Sequence, residues 1–286
     1  MGAIEHISKL REAYHARILE RVLFQKQGKG ETVTASTADT SSQSSTDIAA
    51  AWLGNLSGKV GTRAIPEQTA GKEFVSATSE FVRESFSCLT SLRPGEWTVT
   101  DGEVISSYDQ YFHLNEVQNI LSVQPELRST FGMDYLFKPR IVVSRIPVSP
   151  SAIGGRPIGA RTAQLTPLLA DAKQGGLPIL HASISCKLTM RSDRAQNART
   201  EALNLIRNRK GNTPHIVAVT AEPVPGRLTS LALGTGDLDC VYHAALPELV
   251  DAVDAVGSED AREMLATLVD GRRLRDVGDL PFDLAI

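Results

Sequence analysis

The chain has 286 residues, a formal net charge of −3 at pH 7 and 42% hydrophobic residues. That length and apolar content can supply a large buried core, so the sequence indicates a globular protein with one large α/β domain or two smaller ones. It contains no apolar run as long as a membrane span, no apolar signal-peptide core at the amino terminus, and only three widely spaced cysteines. We therefore expect a cytoplasmic protein without a membrane partner, a disulfide framework or a zinc site.

The first 64 residues are predicted to form a helix followed by a polar arm. Apolar side chains recur at helical spacing from Ile4 to Val22. The next stretch, 28–46, is rich in Ser, Thr and Gly and predicts a mobile surface loop. A short helix is expected over 47–56.

The central part of the chain alternates between helical and strand patterns. A helix is predicted over 67–89, and a turn leads into a strand at 93–99. A further helix is expected over 108–123, and a buried strand from about Pro139. The Pro- and Gly-rich stretch that follows predicts a surface loop, unless it contacts a partner through its arginines.

The segment 177–210 organises the rest of the chain, because an apolar strand runs directly into a charged helix. Alternation along the strand places Ser183, Ser185 and Lys187 on one face. Arg191, Asp193 and Arg194 then cluster where the helix begins, and the backbone N–H groups of a helix start favour anions.

This cluster has two interpretations. Arginine forks pair with guanine and a carboxylate accepts from the cytosine amino group, so Arg191, Asp193 and Arg194 match G·C-rich DNA. Alternatively, Ser192 or Asp193 caps the helix and the arginines are solvated. The charge distribution favours a polyanion, because seven basic residues and two acids lie between His181 and His215.

The last part of the chain predicts a buried strand over 215–221 and helices near 247–256 and 259–269. From Asp237 to the end there are twelve acids and four arginines. That surface is expected to face solvent or another subunit, away from phosphates.

Several runs closely resemble the NgoMIV-type restriction endonucleases of the CCGG-reading group. They are HASISCK, RSDRAQNAR, LNLIRNRKG, PHIVAVTAEP, ALGTG and DCVYHAAL, and the resemblance extends from about Ile65 to Ile286. It implies a PD-(D/E)xK nuclease fold with a mixed central sheet flanked by helices. It also implies Mg²⁺-dependent double-strand cleavage of DNA at GCCGGC by a homotetramer of two dimers.

The resemblance also implies residue roles. Arg191, Asp193 and Arg194 would read the inner base pairs, while Gln68 would reach the outer pair from the minor groove and Arg227 would read it from the major groove. Without the resemblance, Gln68 would be an ordinary helix-start residue and Arg227 an exposed loop arginine.

For catalysis, the resemblance implies that Lys187 orients the attacking water and stabilises charge on the scissile phosphate. Ser185 and Glu201 match the family's serine and downstream acid, and the backbone carbonyl of Cys186 is an expected metal ligand. Taken alone, Lys187 and Glu201 would be read as solvated side chains.

Two expected metal-binding acids are missing, because Val75 and Arg140 stand at their positions. Glu73 stands two residues earlier, about 200° round the helix from residue 75, and is a poor substitute. One acid, Glu201, remains beside two bases, Lys187 and Arg140, and we expect Mg²⁺ to bind such a site weakly.

We therefore predict a single domain over residues 1–286, with an amino-terminal helix and arm at 1–64 and a nuclease core at 65–286. The first hypothesis is a type II restriction endonuclease in the bacterial cytoplasm, whose host DNA is protected by a cognate methyltransferase. The alternative is a catalytically impaired or inactive protein of the same fold that still binds GCCGGC. The two hypotheses differ at Val75 and Arg140.

Overall fold

The computed structural model describes residues 2–29, 32–61, 64–124, 126–127, 129, 137–156, 159–172, 176–234 and 236–286. Its amino-terminal part contains helix α1 (Ala3–Arg21), an antiparallel hairpin of β1 (Gln25–Gln27) and β2 (Val33–Ala35), and helix α2 (Gln43–Asn55). The prediction of a mobile loop over 28–46 is wrong, because this stretch forms β2 and the start of α2. Thr34 is fully buried, and its hydroxyl donates to the Thr46 carbonyl at 2.7 Å.

A six-stranded mixed sheet forms the centre of the described structure. Its strands are hydrogen-bonded in chain order: β3 (Trp97–Asp101), β4 (Ile141–Arg145), β5 (Ile179–Lys187), β6 (His215–Thr220), β7 (Cys240–His243) and β8 (Leu274–Asp276). β3, β4 and β5 pair antiparallel, whereas β5 to β8 are parallel. The predicted mixed α/β architecture is confirmed.

Helices flank this sheet on both faces. They are α3 (Glu67–Ser87), α4 (Leu114–Val123), α5 (Ser192–Asn208), α6 (Pro225–Ala232), α7 (Leu246–Val256), α8 (Glu259–Asp270) and α9 (Leu280–Asp283). The prediction of one helix over 108–123 is wrong in its first part, where 3-10 turns at Ile105–Ser107 and Asp109–Tyr111 precede α4. None of the described helices is long and apolar enough to cross a lipid bilayer.

The carboxyl end of β5 is covered by two helices on opposite faces. On one face Ile184 and Cys186 are buried against α3, where Thr78 lies next to the Cys186 thiol. On the other face Ser185 faces α5 and donates to Glu201. The period-two alternation predicted for this strand therefore separates an apolar face from a polar one.

The amino-terminal helices pack on the same buried core as the sheet. Tyr14, Ile18 and Trp52 are fully buried and belong to the cluster that contains Ile184 and Val217. The division of the chain at residues 64 and 65 into an arm and a nuclease core stays a prediction.

One ion cluster ties α1 to the carboxyl-terminal part of the sheet. The Arg11 guanidinium donates from Nη2 to Glu248 at 2.7 Å and from Nε to Asp276 at 2.7 Å. The three side chains are 21%, 19% and 14% exposed respectively. Asp276 also accepts from the Leu246 N–H at 2.9 Å, so the cluster fixes the start of α7.

Arg11→Ala is expected to lower the free energy of unfolding by about 3 kcal/mol, because it leaves two largely buried carboxylates without their cation. Urea denaturation of the native and variant proteins measures the change. The matched control is Lys9→Ala in the exposed pair with Glu5 on the same helix, which should cost below about 0.5 kcal/mol. Equal losses in both variants would contradict the role of the Arg11 cluster.

Candidate nucleic-acid interface and active site

Three side chains predicted to act in catalysis meet at the end of β5. The Ser185 hydroxyl donates to Glu201 Oε2 at 3.2 Å, and Lys187 Nζ lies 3.6 Å from Glu201 Oε1. Lys187 is 13% exposed and Glu201 is 29% exposed. The interpretation of these two residues as freely solvated side chains is therefore wrong.

The turn between β5 and α5 presents the predicted recognition cluster. Arg191 is the residue before the first turn of α5, and no side chain caps this helix. Arg191 and Asp193 are exposed. The alternative in which Ser192 or Asp193 caps the helix is therefore wrong, and the Asp193 carboxylate is available to a partner.

Carboxylates from elsewhere in the chain hold two of the predicted base-reading arginines. Arg194, on the first turn of α5, pairs with Glu67 at the start of α3 and also donates to Thr189. Arg227, on the first turn of α6, pairs with Asp39 from the segment between β2 and α2. The guanidinium groups of Arg191 and Arg140 form no hydrogen bond or ion pair with any residue that the structure describes.

Asp39 is held as an anion by its own turn. Its Oδ1 accepts from the Ser41 hydroxyl at 2.6 Å and from the Ser41 N–H at 3.0 Å. These bonds, together with the Arg227 guanidinium, hold the pKa of the Asp39 carboxyl down at about 2. The Lys26 ammonium fixes the neighbouring backbone by donating to the Ala38 carbonyl at 2.7 Å.

Most of these residues line one open cleft of about 1230 Å³, which we call the basic cleft, whereas Ser185 and Asp193 are not among its lining residues. Its basic residues are Lys26, Lys72, Lys138, Arg140, Lys187, Arg191, Arg194 and Arg227, and its acids are Asp39, Glu67, Asp101 and Glu201. Gln68 lines the same cleft. The formal excess of four positive charges fits a polyanion such as DNA, although the whole chain carries a net charge of −3.

The positions at which metal-binding acids were expected also lie in the basic cleft. Val75 on α3 and Arg140 just before β4 line it together with Cys186 and Lys187. Burial raises the pKa of the Cys186 thiol to about 12, so this side chain stays protonated. Where two carboxylates were expected, the cleft therefore presents an isopropyl group and a guanidinium.

Asp101 is a further carboxylate of the cleft, and the register of β3 and β4 places it and Arg140 on opposite faces of the sheet. Asp101 lies opposite Ile141 in the antiparallel pair, so the two side chains share a face. Arg140 precedes Ile141, and its side chain is therefore on the other face.

No group of three potential metal-ligating side chains occurs in the described residues. Mg²⁺ requires hard oxygen ligands in tight octahedral geometry. Beside Lys187 and Arg140, Glu201 offers one carboxylate, so the residues present do not fit the ion.

Asp39 and Glu67 are site residues that the sequence analysis missed. Asp39 is the one acid between residues 32 and 46, but an isolated acid in a Ser- and Thr-rich stretch is common in turns. Its partner Arg227 is 188 residues away along the chain. No sequence spacing could have revealed that contact.

Comparison with known proteins places this fold and cleft among the type II restriction enzymes, which are site-specific deoxyribonucleases that generally use Mg²⁺. A family model described as NgoMIV restriction enzyme matches residues 14–286. A curated relative, the type II restriction enzyme NgoMIV from Neisseria gonorrhoeae, is 41% identical over 281 residues, covering 96% of this chain and 97% of the relative. The chain belongs to the NgoMIV restriction enzyme family, as the sequence runs predicted.

A solved structure titled restriction endonuclease PspGI–substrate DNA complex also matches. The match covers 99% of this chain and 92% of that chain, with 11% sequence identity and a TM-score of 0.26. At these values the likeness supports no conclusion about this chain.

Glu67→Gln is expected to raise the affinity for duplex DNA of unrelated sequence by about two- to fivefold. The change frees Arg194 for phosphates, and exposed ion pairs of this kind contribute about 0.2–1 kcal/mol. Fluorescence anisotropy at low and high salt measures the effect, which should shrink as salt screens the charges. Glu5→Gln, which breaks an exposed pair with Lys9 on α1, is the matched control because neither residue lines the cleft, and an equal gain there would contradict a specific role for Glu67.

Proposed function

We propose that this protein acts as a type II restriction endonuclease that binds duplex DNA at GCCGGC through the basic cleft. The observation that supports the proposal is the convergence of separate chain segments on that cleft. Gln68 comes from the start of α3, Arg191 and Arg194 from the turn into α5, and Arg227 from the start of α6. All four line the cleft beside Lys187.

The chemistry of these side chains matches G·C pairs. Arg191 and Arg194 would each pair with O6 and N7 of a guanine, and Asp193 would accept from a cytosine amino group. Arg227 would read the outer guanine from the major groove, and Gln68 would reach the same pair from the minor groove. Asp39, beside Arg227, could accept from the cytosine of that pair once Arg227 turns to the base.

The proposed site is a palindrome, and two-fold symmetric proteins match such sites with one half-site for each subunit. We propose a homotetramer of two dimers, as the family resemblance implies. The cellular role would be defence in the bacterial cytoplasm, with a cognate DNA methyltransferase protecting host sites. The methyltransferase would be a functional partner without a lasting physical contact.

In this proposal Lys187, Ser185 and Glu201 form the catalytic group, and cleavage depends on Mg²⁺. The Lys187 ammonium, largely buried and held near Glu201, would stabilise negative charge on the scissile phosphate. Ser185 fixes the Glu201 carboxylate by donating to its second oxygen. The Cys186 backbone carbonyl would be a further metal ligand, although the residues at Val75 and Arg140 do not fit the ion.

The misfit at Val75 and Arg140 supports a second candidate function, which is sequence-specific binding without cleavage. A guanidinium in place of a carboxylate repels a divalent cation, since unit charges about 4 Å apart near a surface interact by about 4 kcal/mol. It attracts the DNA phosphate at the same time. The recognition residues need not be affected, because Arg191, Arg194 and Arg227 lie on other elements and Gln68 stands about two turns before Val75 on α3.

Arg191→Ala is expected to weaken binding to GCCGGC by about 1–3 kcal/mol and to relax the preference at one inner base pair. Gel shifts with the native site and with single-pair variants measure both effects. Arg262→Ala on α8, whose guanidinium donates to the Asp254 carbonyl, is the matched control and should leave binding unchanged. Loss of affinity without any change in base preference would refute the recognition role of Arg191.

The second candidate function predicts that the native chain binds GCCGGC without cutting it in Mg²⁺, and that Val75→Glu with Arg140→Asp restores cleavage. The two substitutions restore the carboxylates that Mg²⁺, a hard cation with octahedral coordination, needs as ligands. A plasmid that carries GCCGGC sites, incubated with each protein beside a gel shift on the same DNA, distinguishes binding from cutting. Adding Lys187→Ala to the double reversal should abolish cleavage and leave binding intact.

Cleavage by the native chain would eliminate the second candidate and require a carboxylate other than those at the expected positions. Absence of specific binding by every variant would refute the GCCGGC proposal itself.

A further inference from the structure

Glu222 is a buried carboxylate to which neither recognition nor catalysis assigns a role. It lies two residues after β6, and its exposed fraction is 0%. Acids are almost never fully buried unless they are paired. Its contacts explain why a charge is held there.

Each oxygen of Glu222 holds a segment that carries a base-reading arginine. Oε2 accepts from the Met190 N–H at 2.7 Å, and Met190 directly precedes Arg191. Oε1 accepts from the N–H of Val224, the residue before the first turn of α6, at 3.1 Å. The same Oε1 lies 3.9 Å from Nη1 of Arg227.

We propose that Glu222 is a positioning residue that sets the spacing between the Arg191 turn and Arg227, so that the inner and outer base pairs are read together. The inference rests on the proposed function, because it explains how the base-reading arginines are aligned with the inner and outer base pairs. Bidentate base contacts need donor–acceptor distances near 2.9 Å and good alignment. Two segments joined through one rigid carboxylate keep that alignment before DNA binds.

An ionised carboxylate suits this task better than a neutral side chain. Both of its oxygens accept hydrogen bonds, whereas a glutamine amide has one accepting oxygen and would place an NH₂ group against an N–H. Keeping the Glu222 carboxylate ionised in a buried position also costs free energy. Burial raises the pKa of Glu222 to about 7, against the opposing effects of the Met190 N–H and of Arg227.

Because of this cost, the free energy of unfolding depends on pH in a definite direction. Because the folded pKa lies above that of an unfolded glutamate, the associated stability is present at low pH and is lost as the pH rises through about 7. At pH 8 the carboxylate is ionised and both of its oxygens accept hydrogen bonds, which is the state that joins the two segments.

Few other groups around Glu222 titrate near neutral pH. Thr220 on β6 accepts from the Glu222 N–H, Arg227 faces it from α6, and Asp39 approaches from the segment before α2. His243 on β7 adjoins the Glu222 backbone, and burial lowers its pKa to about 4. Among these described neighbours, Asp39 stays ionised and His243 stays neutral between pH 6 and 8.

The test compares Glu222→Gln with the native protein in gel shifts without Mg²⁺. We expect the preference for GCCGGC over a duplex changed at the inner or the outer pair to fall about tenfold, which corresponds to about 1.4 kcal/mol. Affinity for unrelated DNA should stay unchanged. Glu248→Gln, which weakens a pair with Arg11 in another part of the molecule, is the control for general destabilisation and should keep the preference.

A double-mutant cycle tests whether Glu222 joins the two segments. Arg227→Ala is made both in the native protein and in the Glu222→Gln protein. It should reduce the outer-pair preference more in the native protein, because Arg227 is already out of position when Glu222 is replaced. Equal costs in both backgrounds would overturn the proposal.

Two further readouts separate positioning from a merely structural role. In Glu222→Gln, hydrogen exchange should be faster in peptides covering 189–194 and 224–228, and unchanged elsewhere. The preference of the native protein should fall as the pH drops from 8 to 6, while that of the variant should be constant. A native protein without any GCCGGC preference would refute the proposed function, whereas unchanged exchange at both segments would refute the role of Glu222.

Discussion

The rest of the site depends on the pairing of β5 with its two neighbours. β4 runs antiparallel on one side and β6 parallel on the other, so β5 lies inside the sheet and its register is fixed from both edges. A slip of one residue would exchange its two faces, burying Lys187 against α3 and placing Cys186 beside Glu201. The position of Lys187, the proposed catalytic lysine, is thus set by the packing of apolar side chains on the opposite face.

Acidic side chains pair with arginines in the basic cleft around that strand, and these pairs stabilise the folded cleft when no DNA is bound. Arg194 and Arg227 are held by Glu67 and Asp39, which come from α3 and from the segment after the hairpin. DNA must replace these carboxylates with phosphates or base edges. When DNA replaces a carboxylate as the partner of an arginine, it must supply an acceptor at a suitable position to compensate for the lost ion pair. This requirement favours DNA sequences whose acceptors are correctly placed. In the proposed function these acids would therefore contribute to discrimination as well as to the folded state.

Sequence patterns predicted the elements whose periodicity extends over many residues. The strand containing Lys187, the helix after it and the pair α7 and α8 are confirmed with small shifts at their ends. β2 and β8 were missed, because each has three residues and is too short to show an alternating pattern. Contacts between distant segments, such as Arg227 with Asp39 and Met190 with Glu222, arise from tertiary packing and leave no local signal.

The proposed recognition and catalytic groups lie at different places in this fold, and that separation bears on the exchanges at positions 75 and 140. The proposed base-reading side chains stand at the starts of α3, α5 and α6, where helix amino termini favour phosphate. The proposed catalytic group stands at the end of β5. Arg140 is exposed at the mouth of the cleft, and Val75 packs against the core without a polar partner to satisfy. Neither side chain disturbs the turn of Arg191 or the helix of Arg227. Under the second candidate function, a chain of this fold would lose its divalent-cation ligands and keep its proposed DNA-reading surface, and Arg140 would supply a positive charge to the phosphate.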